Sequence, residues 1–448
     1  MSTSDYVLLH GDAFCGNALD WNGTMARAYN SQDWDIEVSM SCPERPLVPT
    51  ILFMNKIPSV DFTQDPPCIV RAVEDLILLR IPLVDPGVYD YFIYWPGGAS
   101  LKLIPHATTT FHDEDVSLLR CGEEHYIIAA LIATRPGLYA LHRFDSKTDK
   151  WSKDEVSVVE PEVSFPYGKE IPGNAERLLF HLTSTVIPIE GGTMGWVDLW
   201  RGILLCDVLS REPNLRGVPL PLPLEHLTCN NGQGTHLGCP KSIRGITCTF
   251  INKEPCLKFV HLAVSAFPVG EQEWQMFDWT ITTWSNTKMT TSWKDWHQDC
   301  KVKASDTSIS SMLNSKMLKY GLLSTGQRAF NNILVSFPAP SIIDDGVVYL
   351  QARVKFMDLK VFLLALDTRD NKLLGAVEFA TKRVPGASVV YFPSNIGKYI
   401  DPEDRVMPIP QGGENDSNWE ELSKSEGTES LKLPPLSISS IVKISLAA

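Results

Sequence analysis

The 448 residues are 44% hydrophobic and 21% charged, the balance of a folded globular protein, which excludes wholesale disorder. A formal net charge of −13 lacks the basic footprint that nucleic acid or an anionic membrane surface requires, so neither is expected as the main partner. Length alone suggests about three domains, unless repeats build one larger body.

The opening stretch, MSTSDYVLLHGDAF, has neither a basic start nor an apolar run of secretory length, so a cytoplasmic or nuclear protein is expected. Residues 1–60 then hold short strand candidates, Tyr6 to Leu9, Trp34 to Met40 and Val48 to Met54, with no amphipathic helix among them. From Cys68 the pattern sharpens into CIVRAV, DLILLRIPL, YDYFIYWP and SLKLIPH, joined by Glu74-Asp75, Asp85 to Gly87 and Gly97-Gly98. These joints carry turn chemistry.

The plan returns from Val116 as VSLLRC, EHYIIAALIA, GLYALHRFDSKTDKW and EVSVVE. Its longest apolar run, Tyr126 to Ala133, is too short to span a bilayer and reads as a buried strand. An apolar strand ending in Asp145, a polar turn and Trp151 on the return strand make a pattern recurrent in propeller blades. A third copy centres on Trp196 to Trp200, Ile203 to Val208 and Leu215 to Val218, with Leu178 to Thr185 as its first strand and the prolines of PLPLP as its stop. A fourth runs through IRGITCTFI, CLKFVHLAV, QMFDWTITTW and TTSWKDW, and a fifth through GVVYLQARVKF, KVFLLALDT and NKLLGAVEF.

Radial repetition of such units predicts an all-β fold, a propeller-like ring of five to six antiparallel blades. Strands at the amino terminus and at Ser388 to Phe392 would combine to close it. One helix is predicted, Ser305 to Leu323, as an insertion between blades. The expected division is residues 1–60 as closing strands, 61–400 as the body, and 401–448 as a mobile acidic tail. Ten cysteines scattered through apolar strands read as buried free thiols.

Several longer peptides occur in order: MGWVDLWRGILLCDVL, LRGVPLPLP, CNNGQGTHLGCPKSIRGI, LKFVHL and DWTITTWSNTKM. With them the chain resembles the plant, mainly grass, family catalogued as domain of unknown function 1618. The resemblance runs from about Asp5 to Ile400 and is densest over residues 194–296. It implies a β-rich fold with no established reaction and no catalytic residues to carry over. Some members carry an amino-terminal F-box; here the helical Leu-Pro stretch of such a box is missing, which weakens a ubiquitin-ligase receptor reading.

The densest set of metal-ligand types is His226, Cys229, His236 and Cys239, two His-x2-Cys pairs that could turn onto one zinc ion. Mixed pairs are a weaker signal than Cys-x2-Cys knuckles, and a polar Gly/Asn-rich connection is the preferred reading, so no metal is assigned. Gly191 to Gly195 lack the Lys-Ser/Thr and helix of a phosphate loop and read as a turn. His106 and His112 with Asp113, Glu114 and Asp115 form the only dense His-carboxylate group, which could supply a general base. In a blade repeat it connects two sheets, so a solvated loop is expected. Trp274, Trp279, Trp284, Trp293 and Trp296 read mainly as core packing. No nucleophile elbow, His-Glu-x-x-His or Rossmann fingerprint occurs, and neither catalytic residues nor a cofactor are assigned.

The resulting expectation is a non-catalytic module that binds another protein. The alternatives are an enzyme in the central channel or a diverged ubiquitin-ligase receptor. Converging His, Asp and Glu would favour catalysis, and an apolar or aromatic rim would favour binding.

Overall fold

The apolar runs are strands, and they assemble four at a time. The computed structural model describes residues 7–16, 22–42, 50–159, 181–221, 240–268, 274–323, 330–355, 360–380 and 391–404, apart from a few single positions between 56 and 136. Strand β1 is Val7–His10 and β2 is Phe14–Gly16, followed by β3 (Ala26–Tyr29), β4 (Asp35–Ser41) and β5 (Ile51–Asn55). The first sheet has the order β2-β5-β4-β3, with β2 parallel to β5 and the other pairs antiparallel.

The next five sheets are antiparallel meanders in sequence order. The second holds β6 (Cys68–Val73), β7 (Leu76–Pro82), β8 (Tyr89–Trp95) and β9 (Ser100–Ile104). The third holds β10 (Val116–Arg120), β11 (Tyr126–Arg135), β12 (Leu138–Asp145) and β13 (Lys150–Ser157). The fourth holds β14 (Thr185–Pro188), β15 (Thr193–Asp198), β16 (Gly202–Asp207) and β17 (Arg216–Pro219). The fifth holds β18 (Arg244–Ile251), β19 (Glu254–Pro268), β20 (Trp274–Asn286) and β21 (His297–Lys303). After α1 (Ser311–Lys319), the sixth holds β22 (Leu334–Pro340), β23 (Val347–Arg353), β24 (Lys360–Asp367) and β25 (Lys372–Ala380).

Middle strands read as near-continuous apolar runs because both faces of each sheet are covered. In β7, Ile77, Leu79 and Ile81 pack toward the first sheet, while Leu76 and Leu78 pack toward the third. In β16, Leu204 and Cys206 face the third sheet, and Ile203 and Leu205 face the fifth. Val348, Leu350 and Ala352 of β23 meet Val260 and Trp279 of the fifth sheet. The remaining gap is closed by β1, whose Leu8 packs on Val347, Val361 and Leu363 of the sixth sheet. Leu9 bridges in parallel to Thr50 of the first, and β1 pairs antiparallel with β26 (Tyr391–Ser394). The described residues thus form a six-bladed propeller-like ring. The edge strands β13 (KWSKDEVS) and β21 (HQDCKVK) are polar, which discourages edge-to-edge pairing.

The Asp-turn-Trp pattern has a physical basis. Asp145 Oδ1 accepts from Lys147 N at 2.9 Å, and Asp149, at φ 56°, returns its N–H to Asp145 O at 2.8 Å. Asn30, Asp207, Asn286 and Asp367 cap their own turns in the same way. Indole N–H groups then tie blade to blade, each at 2.7 Å: Trp151 to Pro105 O, Trp196 to Asp115 O and Trp296 to Pro219 O.

Several elements differ from the sequence reading. TTSWKDW, read as a strand, holds the 3-10 turn Trp293–Asp295, and the strand follows it as His297–Lys303. The helix is only Ser311–Lys319, capped by Ser310 Oγ, because residue 308 is drawn into strand pairing. Ser308 N donates to Asn371 O, and Leu373 N to Ser308 O. Strand β22 is absent from the sequence reading, since its two prolines and a bulge between Ser336 and Ala339, with Phe337 at φ 51°, break the alternation. The first strand of the fourth sheet is Thr185–Pro188; residues 178–180 and most of the acidic tail, from 405, lie outside the described residues.

Near the axis the inner strands approach closely. A Cβ on Gly245 of β18 would lie 1.9 Å from the Pro338 carbonyl oxygen of β22, so the two backbones would have to part. Gly245→Ala is expected to cost about 1–3 kcal/mol in urea unfolding. Gly98→Ala, whose Cβ would make an ordinary 3.8 Å contact with Trp95, is expected to be near neutral.

Candidate functional site

In a four-stranded meander, the connector to the next sheet and the turn between the second and third strands emerge at the same face. That face carries a connected set of half-buried charges. Its hub is the 3-10 turn Asp113–Asp115, which leads from β9 into β10. Asp113 Oδ2 lies 3.0 Å from Arg80 Nε, and Tyr91 OH donates to Asp113 Oδ1 at 3.2 Å. Arg80 also reaches Asp65 at 2.9 Å and lies over the Tyr89 ring.

Arg71 Nη2 donates to Glu114 O at 3.0 Å, while the Glu114 carboxylate pairs with Lys241 Nζ at 3.1 Å. Lys241 belongs to the turn that leads into the fifth sheet, so this pair spans three blades. The hub therefore joins sheets two, three, four and five. Burial pushes Asp113 and Asp115 above the ordinary carboxylate range, opposed at Asp113 mainly by the Arg80 charge. At Glu114 burial also acts upward, but Lys241 overcomes it and the group ends below its usual range. The expected solvated loop is thus a half-buried, ion-paired connector.

A second cluster lies between the fourth and fifth sheets. Arg244 donates from Nη1 to Leu199 O at 2.7 Å and stacks on Trp200, while Asp198 Oδ2 accepts from Leu182 N at 3.0 Å. His181 is pushed down to about 3 by burial and then by Arg201; His261 is pushed down to about 3 by burial and then by Arg244. Both rings are neutral at pH 7.

Between the first and second sheets the face changes character. Asp90 has a fully buried side chain, accepts from Ser31 N at 2.8 Å on Oδ2 and lies 2.9 Å from His106 Nε2 on Oδ1. This carboxylate pins the β3–β4 hairpin beside the β7–β8 loop. Around it stand exposed Tyr29, Trp34, Val84 and Val88, with exposed Asp33, Asp35 and Asp85 at their edge.

Residues 196–349 match the family model described as "Protein of unknown function (DUF1618)". The matched stretch starts in β15 and ends in β23, so it takes in Trp196, Arg201, Lys241, Arg244 and His261 but not the acidic hub. Elongation factor 1-alpha of Euglena gracilis is 29% identical over 167 residues, 34% of this chain and 35% of that protein. The chain thus spans about a third of that relative, and no activity transfers from it.

Solved structures with similar strand arrangements include the β-propeller domain of Cps50 (Swd1) from Myceliophteria thermophila, at 10% identity and TM-score 0.30, covering 68% of this chain and 84% of that one. The β-propeller domain of the Trilobed protease from Pyrococcus furiosus, at 8% identity and TM-score 0.28, covers 84% of each chain. A DUF4221 family member from Bacteroides vulgatus, at 8% identity and TM-score 0.31, covers 84% of this chain and 85% of that one. At such TM-scores these likenesses carry no functional argument.

Of the residues singled out in the sequence, Asp113, Glu114 and Asp115 converge with Arg71, Arg80 and Lys241, while His106 pairs with Asp90 instead. His226, Cys229, His236 and Cys239 lie outside the described residues. Trp279, Trp284 and Trp296 are buried, and Trp293 is exposed. Arg80 and Asp90 escaped notice because they sit inside apolar strand runs; a lone charge in such a run was the available signal.

Two tests follow from these charges. Arg80→Met strips the cation from Asp113 and Asp65 and is expected to cost about 1.5–3 kcal/mol, whereas Lys102→Met, which breaks the exposed pair with Asp149, should cost under about 1 kcal/mol in urea melts. Between pH 6.5 and 3 the unfolded chain binds protons at His181 and His261 that the native state refuses, so stability falls as pH drops below about 6.5. The slope should approach about 1.4 kcal/mol per pH unit for each ring, and His181→Gln should remove one share of it.

Proposed function

We propose that the chain is a non-catalytic interaction module whose partner is another protein, docked where the first and second blades meet. The observation that carries this reading is the exposed group Tyr29, Trp34, Val84 and Val88, on segments held by the buried Asp90. Aromatic and aliphatic side chains on a rigid, polar-rimmed face are what binding hot spots use. At the acidic hub, by contrast, Asp113 and Glu114 are each held by a cation from another sheet, as rivets between blades are. A cytoplasmic or nuclear setting belongs to the same proposal, supported by thiols such as Cys206 and Cys256, buried singly within strands. A plant source belongs to it too, resting on the sequence resemblance alone.

A channel enzyme is the second reading, favoured by one observation: Asp113 and Asp115 are carboxyls raised by burial, the condition of a general acid. It would require Asp113 to leave Arg80 during turnover.

Proximity labelling in grass cells separates the readings. The wild-type chain should mark a reproducible set of proteins, and the Trp34→Asp, Val88→Asp double variant should lose at least most of that set. Leu374→Asp, at an exposed apolar position on β25, should retain it. Retention by the double variant, with circular dichroism showing a folded protein, would move the docking site elsewhere.

A further inference from the structure

The opposite face holds a cleft that the interaction surface above does not use. It lies between the fifth and sixth sheets, where the β18–β19 turn, the β22–β23 loop and the β24–β25 turn meet. Asn252 and Lys253, at φ 54° and 71°, form the two-residue turn that leaves Ile251 at the rim of the cleft. Ile251 and Ile343 are exposed along the cleft, whereas Phe250, also exposed, is on the side of β18 that Ile246 and Cys248 turn toward the fourth sheet.

The polar floor is ionic. Lys258 Nζ lies 2.8 Å from Asp345 Oδ1 and 3.3 Å from Asp299 Oδ2, so one ammonium serves two carboxylates. Ser285 Oγ donates to Asp299 Oδ1 at 2.7 Å, and His297 Nδ1 lies 3.2 Å from the same oxygen. Asp345 Oδ2 is paired with the guanidinium of Arg369. That arginine comes from the chain's own β24–β25 turn and its side chain is 57% exposed, whereas that of Lys258 is only 13% exposed. Gly346 makes room for it: at φ 94° it carries no Cβ, which would otherwise lie 2.9 Å from Arg369 Cγ.

Without Arg369, the cleft's charged residues would be Asp299, Asp345 and Lys258, a net deficit of one positive charge beside an apolar wall. The side chain that makes up the deficit is an exposed arginine, a pairing that solvent and salt weaken. A second guanidinium could therefore take its place at little cost. A lysine fits less well, because the planar fork of arginine meets a carboxylate through two N–H groups. An acidic segment would meet Asp299 and Asp345 at the floor.

We propose that this cleft binds a short segment of a partner protein in which an arginine is flanked by aliphatic residues. Its guanidinium replaces Arg369 on Asp345, and its aliphatic neighbours lie against Ile251 and Ile343. Arg369 then acts as an internal competitor that weakens binding to any one segment.

The test uses the purified full chain and three peptides of the form acetyl-Ala-Leu-X-Leu-Ala-amide, with arginine, citrulline or glutamate at X, titrated calorimetrically. The arginine peptide should bind saturably and at least tenfold more tightly than the other two. Arg369→Ala should tighten it several-fold, Asp345→Asn should weaken it at least tenfold, and Ile251→Ala should weaken it too. Asp299→Asn keeps the Lys258–Asp345 pair and should stay within a few-fold of wild type, which guards against general loss of structure. The Trp34→Asp, Val88→Asp variant should bind as wild type, so failure of the other docking surface would leave this result intact. Absence of saturable binding to Arg369→Ala at millimolar peptide would overturn the proposal. Equal binding of the citrulline peptide, or weaker binding by Arg369→Ala, would overturn it as well.

Discussion

Every sheet in this protein depends on having a neighbour on each side. A four-stranded meander with apolar side chains on both faces, such as β15 and β16, leaves two surfaces that water disfavours, and a single partner covers only one of them. A ring satisfies the constraint for all six sheets at once. It must also close, and the closure is local: Leu8 of β1 meets the sixth sheet, Leu9 bridges to the first, and β26 pairs along β1. Burial of a leucine is worth roughly 1.5–3 kcal/mol, so the closure rests on several such contacts and a short ladder of backbone hydrogen bonds.

Directional bonds set the blades against one another once burial has drawn them together. The indoles of Trp151, Trp196 and Trp296 each reach a carbonyl of the preceding blade or its connector, and an indole N–H so placed tolerates little rotation of one sheet past the next. At the connector face the same task falls to ions. Arg80, Arg71 and Lys241 hold the Asp113–Asp115 turn from two sides, and the cost of burying those charges is offset only while the partners stay in place. A dense His-carboxylate sequence there serves assembly, with His106 diverted to Asp90 at the neighbouring blade junction.

With the interior committed to assembly, recognition falls to the two faces. One presents exposed aromatic and aliphatic side chains beside the buried Asp90; the other presents an apolar-walled cleft whose carboxylate holds the chain's own arginine. Both combine turns with the strand ends that flank them, as expected where the middle strands are consumed by packing.

The amino-acid sequence by itself determined the strands and most of their hairpins, because alternation, Asp and Asn turn caps and Gly-rich joints act over a few residues. Asp145 with Trp151 already announces one outer hairpin. Local signals also failed locally: prolines and a bulge hid β22, and the pairing of Ser308 shortened the helix. The repeats already announced a ring with terminal strands to close it; the tertiary structure alone decided that the sheets number six, one of them built from residues 14–55. It also decided that Glu114 meets Lys241 across 127 positions, and that Arg369 comes to lie on Asp345. The reason is physical: charge pairs and packed faces are set by which surfaces the ring brings together, and residues from different blades carry no mark of one another in the order of the chain.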